Sequence, residues 1–592
     1  MKQFFKFTFA SCLGFGIGMI ILITLSIFMI IGITASFATL AETPVKPIEK
    51  NSVLTINLDL IINERGTDFQ MPSIFSSQGF KEIGLDQLMK AIENAANDDN
   101  IRGIILEGGS GVGGGYATME QLRSSLAKFK KSNKFIYAYA DMYAQKGYYI
   151  ACMADSVFFN PEGMLDLKGI SMETMFYKNA MDKLGIEMQI FKVGTYKSAV
   201  EPFIETKMSA ANREQLTAFS NSMWSTIKDD ISKDRGISPA SIDSLANAGI
   251  MFQPTANLLS ANLVDALVYQ EQFNQFIRSE IGLEDGEKIK SVKVADMAKS
   301  STKKLKKESG DVIGIIYAVG EIDGTSSQKV NTKKLAEEIF KIKADSAVKA
   351  VVLRVNSPGG SAFGSEQVWY ALSELKKVKP FVVSMGDMAA SGGYYISCDA
   401  NYIFAEPTTL TGSIGIFGMI PNIQGLTNKI GINVDNVSTN SLSTFPDITS
   451  PVSPQGRMLM QNYVERGYGL FTKRCADGRK MPLDSILRIA EGRIWTGTTA
   501  KKLGLVDELG GIDDAINYAT QLAGLTADQI SIKEYPKKKE FYEILMEEYG
   551  IEAINRIGEM LIGENYKHYS IINKIKDIEP VQARMPYELS IQ

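Results

Sequence analysis

The chain opens on a long apolar run. From Phe7 to Leu40 no charged residue interrupts it, and about 20 apolar residues are enough to cross the hydrocarbon core of a bilayer. A cleaved secretory leader needs an apolar stretch of only about 7–15 residues. Ser36–Phe37–Ala38 and Thr39–Leu40–Ala41 would serve as small-residue cleavage sites, so cleavage stays open, but an uncleaved transmembrane helix is the expectation. Lys2 and Lys6 precede the run and Glu42 follows it. The positive-inside rule then leaves the N-terminus cytoplasmic and the large remainder on the outer face.

After the anchor the pattern changes. Val312–Tyr317, Ala350–Val355 and Phe381–Ser384 are short apolar runs rich in Val and Ile that read as buried strands, and Glu366–Lys376 spaces its apolar residues as a helix does. Strand–helix–strand order of this kind predicts right-handed crossover units and mostly parallel sheets, an α/β fold.

That unit occurs twice. Ala140-Asp141-Met142 followed by Gly147-Tyr148-Tyr149-Ile150 returns as Gly386-Asp387-Met388 followed by Gly393-Tyr394-Tyr395-Ile396, at an offset of 386 − 140 = 246 residues. Cys152 and Cys398 keep the same offset, as do Leu184-Gly185-Ile186 and Ile430-Gly431-Ile432. A period this long marks a duplicated domain rather than a solenoid of short repeats. The expected division is an anchor over residues 1–41, an N-terminal repeat over 42–300, a C-terminal repeat over 301–533 and an extension over 534–592. The Lys- and Ser-rich stretch Lys299–Gly310 marks the boundary between the repeats, and the extension carries an amphipathic helix around Phe541–Ile562.

Composition narrows the chemistry. A net charge of −4 over 592 residues gives no nucleic-acid signature, and the short Lys-rich runs at 303–307 and 537–539 read as solvated faces. The four cysteines, Cys12, Cys152, Cys398 and Cys475, form no CxxC pair, so neither a metal site nor a disulfide framework is expected. The chain has a single histidine, His568, outside both repeats.

Two motifs in the second repeat point to a nucleophile. Asn356-Ser357-Pro358-Gly359-Gly360-Ser361 follows a strand, and paired glycines there let the backbone turn its N–H groups outward, as an oxyanion hole requires. Some thirty residues on, another strand runs into Met388-Ala389-Ala390-Ser391-Gly392-Gly393. A serine among small residues at a strand-to-helix junction is how an exposed nucleophile is presented, although a helix-capping serine reads the same way.

Such a serine needs a base. With histidine absent from both repeats, lysine is the alternative, provided that a closed, largely apolar site lowers its pKa from about 10.4 to roughly 7–8. The duplication selects one. Gln145 stands in the first repeat where Ser391 stands in the second, and Ser443 stands in the second where Lys197 stands in the first. Each repeat keeps one half of a dyad, so a single composite site between them is expected, with Ser391 as nucleophile, Lys197 as general base and no cofactor.

The runs Tyr196–Phe203 (YKSAVEPF), Asn356–Ser361 (NSPGGS) and Met388–Tyr395 (MAASGGYY) resemble the bacterial signal peptide peptidase A, or protease IV, family in its long two-repeat form. The resemblance extends from the anchor to about residue 530. It implies two tandem Clp-protease/crotonase-like repeats and a Ser–Lys dyad built from both. It also implies oxyanion donors at Gly392 and the Gly359–Gly360 pair, and a serine, here Ser413 of Thr411-Gly412-Ser413-Ile414-Gly415, that holds the lysine. The implied substrates are remnant signal peptides in the membrane. The implied assembly is a homotetramer on the outer side of the bacterial inner membrane.

Two other classes fit parts of the same pattern. Crotonase-like folds also host acyl-CoA chemistry, and a repeat that has lost its serine suggests a non-catalytic membrane scaffold. The anchor, the outward topology and the Ser391/Lys197 complementarity argue against both. The resemblance weakens after about residue 535. That tail either packs on a neighbouring surface or threads into the substrate groove as an autoinhibitory or self-processed strand.

Overall fold

The computed structural model describes residues 47–66, 81–300, 310–324, 329–538 and 581–584, with residues 6, 13–19, 21–22 and 24–25 near the N-terminus. Among these no helix is long and apolar enough to cross a membrane. The expected anchor, most of the Lys299–Gly310 boundary, the helix expected around Phe541–Ile562 and His568 lie largely or wholly outside the described residues. Both repeats and residues 581–584 belong to one compact unit, Ile48–Gly66, Gln78–Lys538 and Lys567–Gln592.

Each repeat is built on a mainly parallel sheet, and the two sheets share one strand order. In the first repeat it runs Ala266–Leu267, Ser156–Leu165, Phe135–Tyr143, Ile101–Glu107, Ser52–Asn57, Ser291–Lys293, every pair parallel. In the second it runs Glu508–Leu509, Tyr402–Ala405, Phe381–Ala390, Val348–Ser357, Asp311–Val319, Ile530–Tyr535. The apolar runs expected as strands thus form the centre of the second sheet, and the predicted helix lies within Ala362–Lys376. Central strands such as Val348–Ser357 are buried along nearly their whole length, because helices cover both faces of a parallel sheet.

A third, mixed sheet joins the repeats. Its order is Lys329–Val330, Glu321–Ile322, Gly359–Ser361, Val581–Arg584, Phe417–Asn422, Glu187–Lys192. The last pair is antiparallel and crosses between repeats, with Lys192 opposite Phe417 and Ile190 opposite Met419. Phe191 of the first repeat enters the core of the second, and Ala390, Leu410 and Ile494 of the second enter the core of the first.

Buried and half-buried polar groups hold the same junction. Asp387 of the second repeat accepts hydrogen bonds from the Gly115 amide (2.9 Å), the Thr118 amide (2.8 Å) and the Thr118 hydroxyl (2.8 Å) at the start of the helix Tyr116–Lys130. A carboxylate there satisfies amides that have no partner within the helix. Arg354 and Glu64, both buried, form a two-pronged pair, Nε to Oε2 at 2.8 Å and the other guanidinium nitrogen to Oε1 at 3.0 Å. The position of Lys197 against the second repeat follows from this docking.

Candidate active site

Ser391 lies between the end of the strand Phe381–Ala390 and the start of the helix Gly392–Ser397. Its φ is +54°, a region a serine rarely adopts and one that costs about 1–3 kcal/mol. Backbone bonds on both sides hold the turn. The Ser391 amide donates to the Gly412 carbonyl at 2.8 Å, and the Tyr395 amide donates to the Ser391 carbonyl at 2.8 Å. The side chain caps nothing, which removes the helix-cap reading. The turn aims Oγ at Lys197, whose Nζ is 2.8 Å away.

Lys197 reaches that point from the other repeat. The strand Glu187–Lys192 ends at the junction sheet, and the chain then turns at Gly194, with φ +100°. The Tyr196 amide donates to the Glu491 carbonyl at 3.0 Å, and Lys197 follows. Its aliphatic stem passes two glycines of the second repeat. A Cβ on Gly492 would lie 2.6 Å from Lys197 Cβ, and one on Gly415 would lie 3.3 Å from its Cδ. The helix Ala210–Arg235 supports the loop through Gln215, whose amide nitrogen donates to the Tyr196 carbonyl and the Ser198 hydroxyl, both at 3.0 Å. Glu201 is buried and accepts from the Ser209 hydroxyl (2.6 Å) and the Asn212 side chain (2.9 Å).

The lysine amine is fully buried. Besides Ser391 it meets the Ser413 hydroxyl at 3.1 Å and the Ser413 carbonyl at 3.2 Å. Burial pushes its pKa well below the ordinary 10.5, because a charged ammonium loses its hydration there. The site therefore favours a neutral amine next to a serine hydroxyl.

The glycines expected to bind an oxyanion divide. Gly359 (φ +94°) and Gly392 adjoin, since a Cβ on Gly359 would lie 2.6 Å from the Gly392 amide nitrogen. The Gly359 amide is directed at the Ser357 hydroxyl, 3.2 Å away. Gly360 (φ +152°) packs against the neighbouring strand, where a Cβ would meet the Ile322 carbonyl oxygen at 2.1 Å.

The first repeat keeps the outline of the same site without its chemistry. Gly108 and Gly109 retain positive φ after their strand, but Asp59 fills the turn, its Oδ1 accepting from the Gly109 amide (3.1 Å) and the Gly111 amide (2.7 Å). Gln145, in the nucleophile's place, is tied to the Gly169 amide (2.8 Å) and the Tyr116 hydroxyl (2.7 Å). In the second repeat Ser443, in the lysine's place, is exposed in a surface turn. Gly492 and Gln215 were not legible as site residues; they fall outside the repeated motifs, and only their closeness to Lys197 singles them out.

A strained serine beside a buried amine, on a strand-to-helix turn of an α/β sheet, defines a hydrolase of the serine class. Residues 128–284 and 373–526 match peptidase family S49, one stretch in each repeat, and the chain belongs to that family and is a serine peptidase. It is 39% identical to Protease 4 of Salmonella typhi over 463 residues, 76% of this chain and 74% of that one. It is 30% identical to the chloroplastic serine protease SPPA of Arabidopsis thaliana over 558 residues, 93% and 80% of the two chains. Among solved structures, a ClpP1 mutant from Listeria monocytogenes matches at 13% identity and a TM-score of 0.24, covering 34% of this chain and 94% of that one. The acyl-CoA and scaffold alternatives fall with the family assignment.

Proposed function

We propose that this peptidase cleaves peptide bonds with a Ser391–Lys197 dyad, and that its substrates are remnant signal peptides at the membrane. The observation that carries the dyad is the fully buried Lys197 amine 2.8 Å from Ser391 Oγ. Neutral Lys197 takes the hydroxyl proton as Oγ attacks a carbonyl carbon, then gives it to the departing amine. Water deprotonated by the same lysine hydrolyses the ester. Ser413 fixes the amine through its hydroxyl and carbonyl. Gly392, with Gly359 adjoining it, supplies the amide for the oxyanion, while Gly360 serves the strand pairing instead.

The substrate class rests on two supports. A relative from Enterococcus faecium, 35% identical over 228 residues, is described as a putative signal peptide peptidase. The apolar run Phe7–Leu40 would hold the catalytic repeats against the outer face of a bacterial inner membrane, where such peptides remain. Assembly as a homotetramer belongs to the same proposal.

The test is hydrolysis of an apolar peptide ester and of a synthetic signal peptide by the detergent-purified chain, compared with Ser391→Ala and Lys197→Ala. The proposal expects both variants to be inactive on both substrates. Hydrolysis surviving either substitution rules out the dyad. An active dyad that cleaves polar peptides as readily as signal peptides rules out the substrate class.

A further inference from the structure

The chain between the helix Leu483–Ile489 and the strand Ile494–Thr496 touches both halves of the dyad. Its main chain bonds in two directions. The Glu491 carbonyl accepts from the amide of Tyr196, the residue before the lysine, at 3.0 Å. The Gly492 amide donates to the Ile414 carbonyl at 2.8 Å, and the Arg493 carbonyl accepts from the Ser413 amide at 2.7 Å. Ser413 is the residue whose hydroxyl and carbonyl meet Lys197 Nζ. Three consecutive residues thus grip the lysine loop of one repeat and, in the other, the serine that meets its amine. Glu491 (φ +53°) and Ser413 (φ +50°) both stand in left-handed backbone, which persists only where the surroundings hold it.

The side chain of Arg493 ties the same parts together. Its guanidinium carbon lies 4.6 Å from the centre of the Tyr196 ring and 4.6 Å from that of the Trp495 ring. A flat cation packs well on two aromatic faces at once. One guanidinium nitrogen donates to the Tyr196 hydroxyl at 3.1 Å, and the other pairs with Glu214 at 2.8 Å, on the helix Ala210–Arg235. Trp495 carries the contact onward. It lies opposite Thr411 in the sheet, and a Cβ on Gly412 would lie 2.7 Å from its ring. The Gly412 carbonyl is the group that accepts the Ser391 amide. Tyr196, Arg493 and Trp495 therefore form a continuous path from the neighbour of the base to the turn that aims the nucleophile.

We propose that Arg493 is a positioning residue of the dyad, acting through Tyr196 and Trp495 to set the distance between Lys197 and Ser391. This rests on the dyad reading above. Without the guanidinium, Tyr196 loses a ring partner and a hydrogen bond, and the loop that carries Lys197 is free to shift. Two consequences follow for the amine. It leaves hydrogen-bond distance of Ser391 Oγ, which slows the chemical step without changing how substrate binds. It also regains water, and because burial is what holds its basicity down, it becomes a stronger base that stays protonated to higher pH.

The experiment measures hydrolysis of an apolar peptide ester across pH by the full-length chain in detergent, as wild type, Arg493→Met, Arg493→Lys and Trp495→Leu. Far-ultraviolet circular dichroism checks that each is folded. Arg493→Met is expected to lose kcat by about tenfold to a hundredfold with KM nearly unchanged. Its kcat/KM is expected to reach half its plateau at a pH about one unit or more above that of wild type. Arg493→Lys keeps a charge for Glu214 but no flat group for the rings, so it should show the same pattern. A residue that only stabilised the fold would reduce the amount of active protein and leave the pH midpoint of the remainder where it was. A folded Arg493→Met with wild-type kcat, or with a lower kcat but the wild-type midpoint, overturns the inference and leaves the dyad standing. Full activity in Arg493→Lys overturns the role of the rings. Should Arg493→Met not fold, Trp495→Leu, which removes one ring and keeps the ion pair, carries the same expectation and the same refutation. Hydrolysis that survives Lys197→Ala sinks the dyad, and this inference with it.

Discussion

Lys197 Nζ and Ser391 Oγ are 2.8 Å apart although 194 positions separate them in the chain. The contact exists because one repeat supplies the amine and the other the hydroxyl, and because the strand Glu187–Lys192 pairs across to Phe417–Asn422. Lys197→Met keeps most of the stem's volume and removes the base; it is expected to lower kcat/KM by about a thousandfold or more. Lys197→Arg should be equally inactive, since a guanidinium stays charged at any working pH. Ester hydrolysis with unchanged far-ultraviolet circular dichroism is the measurement.

The same burial sets two pH dependences, both rising with pH. The proposed dyad needs the neutral amine, and its pKa is well below 10.5, so kcat/KM should rise with pH through that lowered value and then level off. Stability follows from proton counting. Between the lowered folded pKa and 10.5 the unfolded chain binds a proton that the folded chain does not, so the lysine's contribution to stability grows as pH rises across that window. Lys197→Met should remove this slope and be more stable than wild type at neutral pH. Urea titrations at several pH values check it; an identical slope in both proteins would refute a neutral buried lysine.

Gly492 stands at φ +80° with its missing Cβ only 2.6 Å from Lys197 Cβ. Gly492→Ala therefore pushes the lysine stem off its path and adds backbone strain of about 1–3 kcal/mol. A displacement of even an ångström between reacting groups costs about a hundredfold in rate. The expected result is a fall in kcat of about that size with little change in KM.

What the sequence made legible has a physical pattern. The meeting of Ser391 and Lys197 could be anticipated because a duplication that loses different residues from each copy leaves a written record, as Gln145 and Ser443 show. The central strands were legible because burial on both faces demands unbroken apolar runs such as Val348–Ser357. The junction sheet was not. Nothing in Glu187–Lys192 names Phe417–Asn422 as its partner, since pairing between distant strands is set by the docking of the repeats. The short tail strand has too few residues for a period, so its register against Gly359–Ser361 could only be seen in three dimensions. Ser391's positive φ, likewise, comes from the bonds to Gly412 and Tyr395 rather than from serine itself.

The docking of the repeats makes one last prediction. Arg354 and Glu64 belong to different repeats, and both are buried. Removing one partner leaves the other charge in the interior without its counter-ion, so Glu64→Ala should destabilise the protein by about 3–5 kcal/mol. Replacing both at once, as Glu64→Leu with Arg354→Met, removes the desolvation cost along with the attraction and should recover most of the loss. Asn356, which donates to Glu64 at 2.9 Å, loses a partner in either case and keeps the recovery short of complete. Because Lys197 reaches Ser391 only through this docking, Glu64→Ala should also lower peptidase activity, whereas the double variant should regain it. Chemical denaturation and ester hydrolysis on the three proteins would decide. Equal destabilisation in the single and double variants would mean that the pair holds the repeats by geometry rather than by charge.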